Sequence, residues 1–307
     1  MDISLEDTVF SIIDTETTGT DPETDKVIEC AAVKWKINEE FLGMPAQWTI
    51  DPQRLIHPSA MAIHHILQHE VDGKPTMAMV QPEIEAYTKD TVLVAHNAPF
   101  DISMMPFLKD QPTICSLRLA RHVWERGALN NLGQNLTSHK SQELRYWLGF
   151  YQIDTLGLAA HRAAADILVT GHVFGALLQR YIDIAKGKTL KDLIDFVKSP
   201  LPIKALSFGK HEGVPLADVD TGYYRWMMNQ IHSGKMKLDA DIMFAINHAL
   251  AKRGINPADL IEHEGKAGSW KDASARRHVT PNSTDTNVNP TILPTEKITQ
   301  SVVTNRA

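Results

Sequence analysis

The sequence predicts an α/β domain followed by a smaller second unit and a polar tail. Three observations predict it. Short apolar runs rich in β-branched residues alternate with segments of helical period through about residue 185. The charge balance then changes: residues 1–190 hold 24 acids against 16 lysines and arginines, and residues 191–307 hold 13 against 15. The end of the chain, TPNSTDTNVNPTILPTEKITQSVVTNRA, has three prolines and no aromatic residue, too little apolar surface to offset the entropy of ordering it.

The elements follow in order. Val9 to Ile13 reads as a short strand running into Asp14-Thr15-Glu16, Val27 to Ile37 as a second strand, and Gln47 to Ile50 as the start of a third. Ser59 to Glu70 has helical spacing, with Ser59 as N-cap after Pro58. Thr91 to Ala95 is a buried strand, Phe100 to Leu108 a helix after it, and Ile114 to Leu119 another strand. Thr155 to Tyr181 is a long helical stretch. Ser199-Pro200-Leu201-Pro202 marks a turn or linker, and Asp239 to Leu250 an amphipathic helix capped by Asp239. The boundaries expected are a first domain over 1–185, a linker over 186–205, a small domain over 206–264 and a disordered tail over 265–307.

Composition narrows the chemistry. The only cysteines are Cys30 and Cys115 among 307 residues, which supply neither a zinc set nor a disulfide framework and point to a reducing compartment. No apolar run approaches the roughly 18 residues of a membrane span. The first ten residues carry acids where a signal peptide carries bases, so a cytoplasmic protein with no membrane partner is expected. The net charge of −6 does not announce a nucleic-acid binder, and any such role must come from a local site.

Three local signals carry chemistry. Asp14 and Glu16 are two apart at a strand end and share one face. Carboxylates that close repel each other unless a cation lies between them, and oxygen donors select Mg²⁺ or Mn²⁺. Next, His96-Asn97-Ala98-Pro99-Phe100-Asp101 follows a buried strand, where open α/β sheets place ligands. Finally, His161 and Asp166 are five apart, about 140° around a helix, and cannot share one helical face. His161 therefore belongs to the loop before the helix and Asp166 to its first turn, with Ala163 to Ala165 letting the helix approach the sheet. A loop imidazole beside an acid suits proton transfer near neutral pH. Each signal alone has a plain structural reading; together they put four acids and a histidine after strand ends of one domain. No glycine-rich phosphate loop competes with them.

The set Asp14/Glu16, Asp101, His161/Asp166, carried by DTETTG, HNAPFD and H-x-x-x-x-D, resembles the DEDDh exonucleases over roughly residues 8–182. Ala60 to Ile66, Cys115 to Trp124, and the second-unit stretches FGKHEG (208–213) and GYYRW (222–226) are similar to the exodeoxyribonuclease-X-type branch. The chain departs from it in its longer C-terminus and in the three alanines between His161 and Asp166.

The resemblance implies a ribonuclease-H-like fold, a mixed sheet flanked by helices, and 3′-to-5′ hydrolysis of DNA to nucleoside 5′-monophosphates with two metal ions per site. It implies Asp14, Glu16, Asp101 and Asp166 as metal ligands and His161 as general base. Thr17, Thr18, Ile63, His64 and Asn97 then lie around the terminal nucleotide, with Phe100 divided between that site and the core. Arg118, Arg121 and Arg126 are candidate phosphate contacts. Lys210, His211, Tyr223, Tyr224, Arg225 and Trp226 combine bases and aromatics as single-strand binding does, or form a small core with surface charges. The partner expected is a DNA 3′ end, single-stranded or duplex. An RNA-trimming relative and a non-catalytic DNA-end-binding module stay open, as do processivity and oligomeric state.

Overall fold

Apolar residues alternate across the strands of the first unit, and each alternate set buries against helices on its own side. In a computed structural model that describes residues 3–261, six strands form one mixed sheet: β1 (Phe10–Thr17), β2 (Val27–Lys36), β3 (Glu40–Phe41), β4 (Ala46–Thr49), β5 (Val92–Ala95) and β6 (Thr113–Cys115). The order is β3-β2-β1-β5-β6, with β4 also paired to β2. β1 runs antiparallel to β2 and parallel to β5, and β5 is parallel to β6.

The helices of this unit are α1 (Pro58–His64), α2 (Gln68–Val71), α3 (Met77–Thr88), α4 (Ala98–Met104), α5 (Ser116–Val123), α6 (Ser141–Trp147), α7 (Ala163–Ala185) and α8 (Leu190–Lys198). Phe10, Ile12, Val33, Trp35 and Val94 face α5 and α7, in a cluster with Leu119, Ile167, Phe174 and Leu177. Ile13, Cys30, Ala32, Leu93 and Ala95 face the other way, onto Val80 and Ile84 of α3 and Ala98 and Met104 of α4. This is the period of two expected for a sheet covered on both faces.

Several boundaries differ from the sequence reading, each for a local reason. β1 continues through Asp14 and Glu16 to Thr17, because its antiparallel pairing to β2 reaches that far, with a register shift between Glu16 and Thr17. The segment 59–70 is two helices. His57, not Ser59, is the N-cap, its Nδ1 accepting the Ser59 N–H, and His65 at φ 59° ends α1. Pro106 stops the helix after Asp101, leaving a 3₁₀ turn over Pro106–Leu108. The run after Ile114 is strand only to Cys115, and α5 begins at Ser116. The long helix starts at Ala163 rather than near Thr155.

The described residues fall into two compact units that divide at Ser199/Pro200. The span 186–205, read as a linker, carries α8. Thr189 and Asp192 form a reciprocal capping box there, and Leu190, Leu193 and Val197 join the core of the first unit. In the second unit, α9 (Thr221–His232) is capped by Asp220 and α10 (Ala240–Lys252) by Asp239, as expected for the latter. Its core contains Leu206, Leu216, Val219, Tyr224, Met227, Met228, Ile246 and Leu250. The tail expected to be disordered over 265–307 lies outside the described residues. Among the described residues, no helix is long and apolar enough to cross a membrane.

Candidate active site

The site is assembled at the ends of β1 and β5 and the start of α7. Along β1, Ile13, Thr15 and Thr17 are buried while Asp14 and Glu16 alternate with them and stay partly open, so the two acids share a face. β5 lies beside β1 in parallel register, Ile12 against Val94, which delivers the chain after β5 to the same end of the sheet. Asn97 takes a left-handed conformation (φ 84°) and turns the chain into α4, whose first turn buries Asp101. Thr15 Oγ1 donates to Asp101 Oδ1 at 2.9 Å and fixes that carboxyl against β1.

The third contribution comes from the start of α7. His161 sits before the helix at φ 62°, exposed, and Asp166 lies in the first turn. The His161 N–H donates to Asp166 Oδ2 at 3.0 Å, and its Nδ1 stands 4.0 Å from the same oxygen. Gln142 Nε2 donates to Asp166 Oδ1 at 3.0 Å. One donor atom each from Glu16, His161 and Asp166 lie within 4.8 Å of one another.

The electrostatics record this convergence. Burial, followed by the charges of Asp101, Glu16, Asp166 and Glu29, holds the Asp14 carboxyl well above the usual range. Burial first, then Asp166, Glu29 and Asp101, pushes Glu16 up to about 8, with Arg162 opposing. Asp101 is pushed up to about 7 by burial, against the hydrogen bond from Thr15. Asp166 is raised by burial, against the favourable charge of His161 and the hydrogen bonds it accepts from His161 and Gln142. Four carboxyls crowded into one partly buried cleft are unfavourable as anions until positive charge is added. The donor set fits a hard divalent cation: carboxylate oxygens, one imidazole, and no thiolate, since burial drives the Cys30 thiol far up.

The remaining candidates separate by exposure. Ile63 is 53% exposed on α1, whereas His64 is buried, its Nδ1 accepting the Ile66 N–H at 3.0 Å. Thr17 and Thr18 are buried and their hydroxyls are engaged within the turn, Thr17 to the Gly19 carbonyl at 2.6 Å and Thr18 to Asp25 at 2.8 Å. Asn97 is exposed, and its side chain caps nothing. Phe100 packs at the edge of the α3–α4 core. Arg118 is occupied by the carbonyls of Val197 (2.6 Å) and Ser199 (2.7 Å), so it ties α5 to the end of α8. Arg121 and Arg126 are exposed. His96 is a tie as well: its Nε2–H donates to the His139 carbonyl at 2.8 Å, and burial lowers its pKa to about 4.

Sequence reasoning missed Glu29, Arg162 and Gln142. Glu29 is fully buried and accepts from Arg162, from the Ala163 N–H at 2.8 Å and from Gln47 at 2.7 Å. A lone acid inside the apolar run VIECAAV was a legible signal for it. Nothing in the sequence singles out Gln142.

Comparison with known proteins adds the decisive observation. Residues 11–174, more than half the chain, match the family model described as Exonuclease. The chain belongs to the exonuclease family. Exodeoxyribonuclease 10 of Escherichia coli strain K12 is 31% identical over 248 residues, spanning 79% of this chain and 99% of that protein. The DNA polymerase III subunit epsilon of Treponema pallidum strain Nichols is 28% identical over 209 residues, 63% of this chain and 91% of its own length. A solved structure of exonuclease X in complex with 5′ overhanging duplex DNA is 29% identical with a TM-score of 0.49, covering 61% of this chain and 99% of that one. The mixed sheet flanked by helices is the ribonuclease-H-like exonuclease fold, and the protein is an exonuclease enzyme.

Proposed function

We propose that this exonuclease removes nucleotides from the 3′ end of DNA and releases nucleoside 5′-monophosphates, with Mg²⁺ or Mn²⁺ bound as a pair. The observation that carries the reading is the state of the cleft: Asp14, Glu16, Asp101 and Asp166 are all held above the ordinary carboxylate range. The identity to Exodeoxyribonuclease 10 over nearly all of that protein favours DNA as the polymer.

Asp14, Glu16, Asp101 and Asp166 would hold the cations, each held above the ordinary carboxylate range while no positive charge is bound. Bound there, the ions would neutralise the scissile phosphodiester and the oxygen that departs from it. The chain's own residues do the rest. His161 takes a proton from the attacking water, and its exposed loop position leaves the ring free to reach the cleft. Asp166 and Gln142 hold that loop and the start of α7 in place. Ile63 offers its exposed side chain to the terminal base, Asn97 its amide to the terminal sugar or phosphate. Thr17, Thr18 and His64 shape the wall from beneath.

The test is release of a labelled 3′-terminal nucleotide from DNA by the full chain, in Mg²⁺ and in EDTA, beside a matched RNA. Labelled mononucleotide in Mg²⁺ and none in EDTA is expected. Cleavage that persists in EDTA overturns the metal assignment, and faster turnover of the RNA moves the reading to an RNA-trimming enzyme. Tight end binding without any cleavage leaves a binding module.

A further inference from the structure

The second unit carries an aromatic cluster that starts at a core residue, Tyr223, and reaches the surface at Trp226. Tyr224 belongs to the core: it is fully buried and its hydroxyl donates to the Leu216 carbonyl at 2.7 Å. Tyr223 and Trp226 lie three residues apart on α9, hence on one face. Their rings stack at 24° with centroids 5.3 Å apart, yet Trp226 remains 46% exposed. The His211 ring lies 4.5 Å from Tyr223, and Lys210 Nζ stands 5.5 Å over the same ring. The turn that presents Lys210 comes close because its first residue is glycine. Gly209 has φ 72°, and a Cβ there would fall 2.5 Å from Tyr223 Oη.

We propose that Trp226 and Lys210 form a stacking site for single-stranded DNA, with one unpaired base on the open face of the indole and a neighbouring phosphate on the Lys210 ammonium. An exposed indole alone would take any apolar partner. An exposed lysine held beside an aromatic stack selects a ligand with both a π face and negative charge, which a nucleotide has. The nearby acids compete weakly. Asp220 is engaged as the helix cap, accepting the N–H groups of Gly222 and Tyr223 at 2.8 and 3.3 Å, and Glu212, which follows the turn, is exposed to solvent. The choice of DNA rests on the proposed function; the stacking site itself does not.

The experiment measures affinity of the full chain in EDTA for a long oligothymidylate, and cleavage in Mg²⁺ of one only about four nucleotides long, near the lower limit of known single-strand sites. Trp226→Ala is expected to lose about tenfold in affinity, within the range for one stacked base, and Trp226→Phe to recover most of it. Lys210→Gln, at an exposed position that folding does not need, should flatten the dependence of log affinity on log salt by about 0.7, one phosphate contact. Phe244→Ala, which removes another large aromatic exposed among the described residues of this unit, 52% exposed on α10, should change nothing. Cleavage of the short strand should be equal in all of them. Unchanged affinity in both Trp226→Ala and Lys210→Gln overturns the site. Loss of affinity in an otherwise inactive chain overturns the exonuclease reading and leaves the site standing.

Discussion

Arg162 and Glu29 are 133 residues apart in the chain and meet at 2.7 Å, Nη2 to Oε1. The same Glu29 carboxylate accepts the Ala163 N–H, so one buried acid of β2 fixes the first residue of α7 and, through it, the turn that carries His161. Glu29 has no exposed surface. Removing one member of a buried pair strands the other and costs about 3–5 kcal/mol. Glu29→Ala should therefore lower the unfolding free energy by about 3 kcal/mol, given that Arg162 is partly exposed, read as a markedly lower urea midpoint, and should slow cleavage as the turn loosens. An unchanged midpoint would show that the pair contributes nothing net.

Stability should fall with pH when no metal is present. Glu16 is raised from 4.5 to about 8 and Asp101 from 3.8 to about 7. Between those limits the folded chain holds protons that the unfolded chain has lost. The derivative of unfolding free energy with pH is then negative: the contribution is full below pH about 4, and it is lost as pH rises through 7 to 8. Divalent metal reverses the trend, because it binds the deprotonated carboxylates and competes with those protons. Thermal melts in EDTA should drop from pH 6.5 to pH 8.5, above the range in which buried His96 and His172, lowered to about 4, act with the opposite sign, and the increment added by Mg²⁺ should grow over the same range. A flat profile in EDTA would mean that the acids ionise normally.

Much of this site was legible because its residues follow strand ends, where sequence period and topology agree. The same-face placement of Asp14 and Glu16 follows from a period of two. The argument from a spacing of five put His161 before the helix and Asp166 in its first turn, as found. What was not legible depends on contacts between distant segments. The break at His65 and the α8 helix inside the expected linker are set by capping and by burial against the first core. Arg118 looked like any surface base until α8 supplied the two carbonyls that occupy it. Thr18 likewise spends its hydroxyl on Asp25.

Asp14→Asn should separate stability from activity. Asp14 is raised by burial and by Asp101, Glu16, Asp166 and Glu29, so neutralising it relieves the others. The variant should be more stable than the parent in EDTA at pH 8, gain less from Mg²⁺, and cleave no DNA detectably. Such a trade between stability and activity is common where a functional site stores unfavourable charge. Melting curves with and without Mg²⁺, beside the labelled-end assay, read all three outcomes. A variant less stable in EDTA would mean that Asp14 makes favourable contacts that outweigh the repulsion.

His161→Ala isolates the proton transfer. The side chain is 54% exposed and its Nδ1 lies 4.0 Å from Asp166 Oδ2, while the hydrogen bond that holds the turn comes from its backbone N–H. Removing the ring therefore leaves the turn, the four carboxyls and the stability increment from Mg²⁺ nearly as they were. Cleavage should slow about 10²–10⁴-fold, the range for a lost general base, with the Michaelis constant little changed. Added imidazole should restore part of the rate, because an exposed site lets a free ring enter. A variant that loses the Mg²⁺ increment as well would make His161 a metal-site residue rather than the base. Full activity would leave the water to be deprotonated by another group in the cleft.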